Sequence, residues 1–209
     1  MRHMNSTANN GPEKKLPHGN CYTVVPGGLI AGEYPARFPG GWRIGGGAVD
    51  RFSVSAATRR AGDRLEALIV YGVTDFVDLT SGEDALEPYG EAAKRIAGEL
   101  GRKVSHTRFP IRDGTVPADE GQTRAILDFI DRIIGDGGMV YLHCWGGIGR
   151  TGTIVGCFLV RRGFEPEEAL RRVERFWRSM DKYDPYWTSP ENESQKNYVR
   201  NWVDKERQT

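Results

Sequence analysis

Short apolar runs alternate with segments of helical periodicity from Tyr22 onward, and this alternation is typical of an α/β domain. The predicted strands are GGLIAGEYP, VTDFVDLT, VSHTRFPI and MVYLHC. The last of these is apolar enough to be covered on both faces, as the central strands of parallel sheets are. The pattern therefore predicts a mostly parallel central sheet.

Helical periodicity fills the intervals between these strands, and glycines follow several of the periodic segments. The predicted helices cover residues 57–71, a segment from Pro88 to Gly101, the segment that ends in GDGG, TGTIVGCFLVRRG, EPEEALRRVERFWRSM and the C-terminal SPENESQKNYVRNWVDKERQ. The segment after Pro88 is expected to bury Tyr89, Ala92, Ala93, Ile96 and Leu100. We therefore predict helices on both faces of the sheet.

Two segments depart from this pattern. Residues 1–20 are polar and rich in Asn, Gly and Pro, so we predict a disordered tail that precedes a single domain over 21–207. The segment ARFPGGWRIGGGAVDRFSVS has five glycines between Gly40 and Gly47 and is predicted to be a mobile surface loop. A chain of 209 residues is long enough to bury a core without disulfides or a structural metal.

Charge and cysteine content narrow the class of protein. A net charge of +1 gives no strong field toward nucleic acid or an anionic membrane, so neither is expected as a partner. Cys21, Cys144 and Cys157 form neither a disulfide framework nor a metal-binding spacing, which favours a reducing compartment. No apolar run approaches the roughly 20 residues of a membrane span, and MRHMNSTANNGPEKKLPHGN lacks the apolar segment of a secretory signal. We expect a soluble, cytoplasmic protein.

The candidate functional residues lie in MVYLHCWGGIGRTGTIVGC. In this segment Cys144 follows the predicted central strand, and a glycine-rich loop leads to Arg150 and a predicted helix. Glycines let successive backbone N–H groups turn inward, and a helix N-terminus adds further donors and a positive dipole. The loop is therefore predicted to bind phosphate. Its predicted contacts are Cys144, Trp145, Gly146, Gly147, Ile148, Gly149 and Arg150.

The side chains at both ends of this loop suggest a reaction at phosphorus. Arg150 supplies a planar guanidinium suited to bidentate contact with phosphate oxygens. The same positive field favours the thiolate of Cys144, which becomes a nucleophile toward the bound phosphoryl group. The hydroxyl of Thr151 is predicted to donate to that sulfur. Phosphate and the phosphate mimic vanadate are the expected ligands of the site.

Three other interpretations of the stretch are weaker. GIGRTG fits a dinucleotide-binding fingerprint, which requires a second strand that ends in an acidic residue about 20 residues later. The sequence at that place is FEPEEALRRVERF, which is charged and helical in pattern. A nucleotide P-loop requires G-x-x-x-x-G-K-[ST], which is absent. A buried, inert cysteine is common in proteins, but it does not account for the glycines and the arginine.

His143, Cys144, Arg150 and Thr151 fit the H-C-x5-R-[ST] signature, and the chain therefore resembles the cysteine-dependent protein tyrosine phosphatases. HCWGGIGRTG is most similar to the dual-specificity branch, and its double glycine resembles kinase-associated phosphatases and bacterial relatives. The resemblance implies their α/β fold, a two-step reaction through a cysteinyl-phosphate, and no metal or other cofactor. It gives His143 a supporting role beside the loop.

The resemblance also implies a general acid about thirty residues before the cysteine, and Asp113 lies 31 positions upstream. Asp119 and Glu120 fit the first turn of the next helix instead. Gln195 occupies the place of a glutamine that positions water in this family, although Asn192 is an alternative. Tyr183, Tyr186 and Trp187 either stack on a substrate ring or pack against the domain.

The predicted function is hydrolysis of phosphomonoesters on a phosphorylated protein or peptide, with phosphotyrosine as the first substrate and phosphoserine and phosphothreonine left open. The loop carries no lysine, which makes a highly charged inositol phosphate a less favoured substrate. The alternatives are an inositol-phosphate phosphatase and a pseudo-phosphatase that binds a phosphorylated partner without turnover.

Overall fold

The computed structural model describes residues 15–36 and 62–204, and these form a five-stranded sheet with the order β1-β2-β5-β3-β4. The strands are β1 (Cys21–Val25), β2 (Leu29–Gly32), β3 (Asp75–Asp78), β4 (Ser105–Arg108) and β5 (Val140–His143). β2, β5, β3 and β4 run parallel, and β1 pairs antiparallel with β2. The mostly parallel sheet with MVYLHC at its centre is confirmed.

The helices lie where the periodicity predicts them. They are α1 (residues 62–71), α2 (Gly90–Glu99), α3 (Glu120–Gly135), α4 (Gly149–Arg161), α5 (Pro166–Arg178) and α6 (Glu193–Asn201), with a 3₁₀ turn over Gly82–Asp84. Gly72 and Gly101 follow α1 and α2 with φ values of 122° and 66°, a backbone region in which glycine is favoured. Of the helix predicted over 57–71, residues 57–61 lie outside the described residues.

The core has two halves because side chains alternate across the sheet. On β5, Val140 and Leu142 join the buried cluster that α3, α4, α5 and α6 cover, whereas Tyr141 joins the cluster that α1 and α2 cover. The same alternation places Val77 of β3 on the first side and Phe76 on the second. Helices therefore cover both faces, as predicted.

One strand was missed, and two local predictions differ from the structure. Strand β1 was not predicted as a separate strand, although it forms a hairpin with β2 through Pro26 and Gly27, which has a φ of 74°. Leu100 is exposed rather than buried, because α2 ends at Glu99 and the capping residue lies beyond its packed face. The tail does not extend to residue 20, because Asn20 donates to the carboxylate of Glu33. Residues 1–14 and the glycines from Gly40 to Gly47 lie outside the described residues.

The parallel strands direct their carboxyl ends to one edge of the sheet, where open α/β sheets bind ligands. Cys144 follows β5, Glu33 follows β2, and the 3₁₀ turn with Asp84 follows β3. The turn after β4 carries Asp113. Sequence positions that are far apart thus meet at one edge. Within residues 15–36 and 62–204, none of the helices has the length and apolar character of a bilayer span.

Candidate active site

The loop between β5 and α4 holds its carbonyl groups on its outer side. The acceptor and donor pairs are Cys144 O with His143 Nδ1 (3.1 Å), Trp145 O with Tyr34 N (2.8 Å), Gly146 O with Lys182 Nζ (2.5 Å), Ile148 O with Ser189 Oγ (2.8 Å) and Gly149 O with Thr153 Oγ1 (2.9 Å). In a planar trans peptide the N–H points opposite to the C=O. The next N–H groups therefore point away from these anchors, as an anion-binding loop requires.

Gly147 makes the tightest turn of this loop. Its φ is 72°, and its N–H donates to Sγ of Cys144 at 3.3 Å. A Cβ at this position would lie 2.4 Å from the carbonyl of Gly32, which ends β2. Only glycine therefore lets the loop both turn and lie directly against the neighbouring strand.

Cys144 lies at the base of the loop with 3% of its surface exposed. Its sulfur accepts the Gly147 N–H and stands before the N-terminus of α4. The predicted hydrogen bond from Thr151 is not formed in this structure. Oγ1 of Thr151 is buried and has no hydrogen-bond partner among the described residues, because the first turn of α4 places it in the packed interior.

Arg150 is 1% exposed, and carboxylates hold its guanidinium. Nη1 donates to Oδ2 of Asp84 at 2.8 Å and to the carbonyl of Ile111 at 3.0 Å, and Nη2 donates to Oδ1 of Asp84 at 2.9 Å. Burial lowers the pKa of Arg150, but the hydrogen bonds that the guanidinium donates to Asp84 outweigh it, so the pKa lies above its ordinary value. Nε is buried and has no partner within the described residues. Asp84 and the Ile111 carbonyl thus fix the orientation of the guanidinium, and its Nε–H is the donor that has no partner in the described part of the chain.

Asp113 reaches the same guanidinium. Its Oδ1 lies 2.8 Å from Nη2 of Arg150, while 57% of its side chain is exposed to solvent. Gly114, with a φ of 69°, forms the turn that presents it. Asp119 instead caps α3 by accepting the Gln122 N–H at 2.7 Å, so its predicted structural role is confirmed.

Gln195 is fully buried beside the first residue of α4. Its amide oxygen lies 3.1 Å from where a Cβ of Gly149 would stand, and it accepts the Glu191 N–H at 3.0 Å. Its amide nitrogen donates to the carbonyl of Thr115 at 3.1 Å. Asn192 caps α6 by accepting the Gln195 N–H at 3.0 Å. The glutamine therefore lies against the loop, and the asparagine supports it from the helix end.

His143 is buried beside the loop and hydrogen-bonds to its first residue. Because a carbonyl only accepts, Nδ1 must donate to Cys144 O, which leaves Nε2 to accept from the hydroxyl of Tyr89 at 2.5 Å. Burial lowers the pKa of His143 to about 4, against the opposing charge of Asp78. The imidazole is thus a neutral, fixed part of the scaffold.

The other predicted residues lie around the rim or in the core. Trp145 is 45% exposed and lines a cavity of about 240 Å³ with Glu83, Asp84, Arg112 and Asp113. Tyr183 packs edge-on against Trp177 with ring centres 5.7 Å apart, whereas Tyr186 and Trp187 are exposed. Cys157 is buried in α4 among core residues. Burial raises the pKa of the Cys21 thiol to about 11, which leaves it a poor nucleophile.

Sequence reasoning missed four residues of the site, Asp84, Glu191, Glu33 and Lys182. Asp84 and Glu33 each lie just beyond the carboxyl end of a parallel strand, which is a usable signal. Glu191 lies against Gly149, where burial and Asp113 raise its pKa while Arg150 lowers it. Lys182 lies in a connection between helices and carries no sequence signal.

Relatives of this chain are phosphatases. A family model described as "Polymorphic toxin system, DSP-PTPase phosphatase" matches residues 51–164, which is more than half of the chain. "Putative tyrosine phosphatase 067L" of Invertebrate iridescent virus 3 is 26% identical over 147 residues. That match covers 66% of this chain and 57% of the viral protein, so the chain spans less than two thirds of this relative's length.

Solved structures share the fold. Tk-PTP in its active form is 21% identical with a TM-score of 0.59, over 88% of this chain and 98% of that one. Kinase-associated phosphatase with its catalytic cysteine replaced by serine is 17% identical with a TM-score of 0.59, over 92% and 97%. PTPMT1 in complex with PI(5)P is 17% identical with a TM-score of 0.56, over 86% and 92%. The predicted phosphatase-like fold is confirmed, and the family match covers Asp113 and the whole loop. The chain belongs to the DSP-PTPase phosphatase family of polymorphic toxin systems.

Proposed function

We propose that this chain hydrolyses phosphomonoesters through a cysteinyl-phosphate intermediate. The observation that carries the proposal is the meeting of three groups at one loop. The sulfur of Cys144 accepts the Gly147 N–H, Arg150 lies at the start of the helix that follows, and Asp113 contacts that arginine. A nucleophile, a phosphate-binding cation and a proton donor are thereby supplied.

In the first step the thiolate of Cys144 attacks phosphorus, the bond from phosphorus to the leaving oxygen breaks, and Asp113 transfers a proton to that oxygen. Loop N–H groups and Arg150 bind the equatorial phosphate oxygens. In the second step water attacks phosphorus, its proton passes to Asp113, and the bond to sulfur breaks. The products are an alcohol or phenol, inorganic phosphate and the restored thiolate. Gln195 lies beside Gly149, a position from which it orients the water.

In the protein without substrate, Asp113 is bound to Arg150 in an arrangement that favours this reaction. Asp113 is held as an acceptor by Nη2 of Arg150, and Nε of the same arginine has no partner in the described part of the chain. A phosphate that takes Nε and Nη2 together gains a bidentate contact and displaces Asp113. The released carboxyl is then free to take up a proton and turn to the leaving oxygen. Binding of the substrate therefore also releases Asp113 from Arg150.

The rim of the cavity supports a singly phosphorylated substrate. Glu83, Asp84 and Asp113 contribute three carboxylates to its lining, whereas Arg112 contributes one cation and is paired with Glu83 at 3.1 Å. Further phosphates on an inositol ring would meet these carboxylates, so we favour phosphorylated protein or peptide over inositol polyphosphate. Three buried free thiols support action in a reducing compartment, for which we propose the cytoplasm.

The decisive experiment combines turnover with trapping. The full chain and Cys144→Ser are incubated with phosphotyrosine, phosphoserine and phosphothreonine peptides and with inositol phosphates, and released phosphate is measured. Acid quench and mass spectrometry then look for phosphate on Cys144. Hydrolysis that vanadate inhibits, lost in Cys144→Ser and accompanied by that adduct, is the expected result. Phosphopeptide binding without release of phosphate would instead identify a pseudo-phosphatase and reject the proposal.

A further inference from the structure

Lys182 bonds to the backbone of the phosphate-binding loop from outside it. Its ammonium donates to the carbonyl of Gly146 at 2.5 Å and to Oε2 of Glu33 at 2.8 Å. The lysine belongs to the connection between α5 and α6, 36 residues after the glycine it holds. The side chain is mostly buried, so water competes weakly for these bonds.

Glu33 fixes the position of that ammonium. It follows β2 directly, is buried, and accepts from Lys182, from Arg64 at 2.7 Å and from the amide of Asn20 at 3.1 Å. Burial raises the pKa of Glu33, but the charges of Lys182 and Arg64 outweigh it, so its pKa lies below the ordinary value. The carboxylate is therefore charged at neutral pH and rigidly placed. It holds Lys182 at a constant distance from the loop.

The bond to Gly146 fixes one particular peptide group. The carbonyl of Gly146 and the N–H of Gly147 belong to the same planar unit and point in opposite directions. With the carbonyl held by Lys182, the N–H points at Sγ of Cys144, where it donates at 3.3 Å. Glycine on both sides gives this peptide more conformational freedom than a peptide between residues with side chains, so an external anchor has a large effect here.

We propose that Lys182, held by Glu33, is a positioning residue that locks the Gly146–Gly147 peptide with its N–H toward the sulfur and the bound phosphate. This inference rests on the proposed function and adds the device that keeps the loop in its binding conformation. Without the ammonium, the carbonyl of Gly146 is free to rotate inward. It would then present a negative dipole to the thiolate and to the phosphate oxygens in place of a donor.

The chain offers a matched control in Arg64. Lys182→Met and Arg64→Met each remove one cation from Glu33, but only Lys182→Met removes the donor to Gly146. If Lys182 acted only by stabilising Glu33, the two substitutions would have the same effect on the loop. Lys182→Arg retains a charged donor at the position and serves as the rescue variant.

Two measurements separate the outcomes, and neither requires turnover. The first is the rate at which iodoacetamide alkylates Cys144 as pH is varied, read by peptide mass spectrometry. The second is the concentration of vanadate that protects Cys144 from alkylation. We expect Lys182→Met to shift the alkylation profile to higher pH and to weaken vanadate protection about tenfold, the effect of one lost hydrogen bond to a charged group. Arg64→Met should stay within about twofold of the wild type in both, and Lys182→Arg should recover most of the loss.

Equal changes in Lys182→Met and Arg64→Met, or no change in either, would overturn the positioning role. If Lys182→Met does not fold by circular dichroism, Lys182→Gln replaces it. Its amide is uncharged and one bond shorter, so it cannot hold Gly146 and Glu33 at the same time, and shifts in the same direction are expected. A wild type that neither releases phosphate nor is protected by vanadate rejects the proposed function. In that case the alkylation profiles of the variants still decide the role of Lys182.

Discussion

The carboxylate of Asp84 forms two parallel hydrogen bonds with the guanidinium of Arg150, at 2.8 and 2.9 Å. Asp84 is itself fixed by the N–H of Ser81, which donates to Oδ2 at 2.6 Å. Burial raises the pKa of Asp84, but the bonds from Arg150 and Ser81 outweigh it, so its pKa lies below the usual value. The 3₁₀ turn after β3 thus sets the direction of an arginine that the sequence separates from it by 66 residues.

We expect Asp84→Asn to lower kcat for an aryl phosphate by tenfold to a hundredfold while KM changes less. The neutral amide keeps the shape but not the paired acceptors, so Arg150 loses its orientation toward the transition state. Steady-state kinetics measures the effect. Glu91→Gln is the control, because Glu91 pairs with Lys94 on the exposed surface of α2, away from the cavity, and should leave kcat unchanged. Equal kinetics in both variants would show that Arg150 needs no anchor at Asp84.

Two adjacent glycines of the loop should respond differently to the same methyl group. A Cβ at Gly147 would lie 2.4 Å from the backbone of Gly32, and the φ of 72° disfavours it further, whereas a Cβ at Gly146 meets only the side chain of Ile148 at 3.6 Å. We therefore expect Gly147→Ala to abolish vanadate binding and Gly146→Ala to retain it within about threefold, as read by protection of Cys144 from alkylation. Similar affinity in the two variants would contradict this loop geometry.

The parts of the site that could be predicted from sequence are those encoded locally. Cys144, the glycines and Arg150 lie within seven consecutive residues after an apolar strand, so their spacing alone indicated an anion-binding loop. Asp113 needed a family resemblance, because a turn aspartate has no local mark of catalysis.

Contacts across the sheet could not be predicted in this way. Glu33 and Asp84 meet the loop because the parallel strands that precede them end at one edge of the sheet, whereas Lys182 reaches it from the connection between α5 and α6. For Thr151 the family pattern gave the residue but not its contact, since the helical turn of α4 buries its hydroxyl without a partner in the described part of the chain. The fold was easier to predict because strand alternation and helix periodicity are repeated many times along the chain.

The role of Asp113 predicts a dependence on the leaving group. A poor leaving group such as phenol needs its oxygen protonated as the bond breaks, whereas para-nitrophenol departs readily as an anion. We expect Asp113→Asn to lower kcat/KM about a hundredfold on phenyl phosphate and considerably less on para-nitrophenyl phosphate. Asp119→Asn keeps an oxygen that caps α3 and should change both rates by the same factor, if at all. A uniform loss in Asp113→Asn would assign this residue to binding rather than proton transfer.

Buried His143 predicts a loss of stability in mild acid. Its pKa in the folded protein is about 4, below the value of about 6.5 in an unfolded chain, so the unfolded state takes up a proton first as pH falls. The stabilising contribution is complete above about pH 6.5 and declines toward pH 4. Between pH 7 and pH 5 the loss is about 2 kcal/mol for this one group.

Urea unfolding at the two pH values measures this change. His18, with a pKa lowered to about 4, titrates in both the wild type and the variant, so it cancels in their comparison. We expect His143→Gln, which retains a donor and an acceptor, to lose about 2 kcal/mol less than the wild type over this interval, whatever its stability at pH 7. The same loss in both proteins would show that the pKa of His143 is not lowered by folding.

Glu191 is expected to make phosphate binding weaken as pH rises. Burial and the nearby Asp113 raise its pKa, which Arg150 only partly offsets, so its charge appears at higher pH than that of an ordinary glutamate. The new charge lies beside Gly149, where it repels a bound anion. We expect Glu191→Gln to bind vanadate up to about tenfold more tightly than the wild type once Glu191 is ionised, with the difference vanishing at low pH. Calorimetry from pH 5 to pH 8 measures it, with Glu193→Gln as the exposed control that should match the wild type. A ratio of affinities equal to one across this range would place the carboxylate outside the field of the phosphate site.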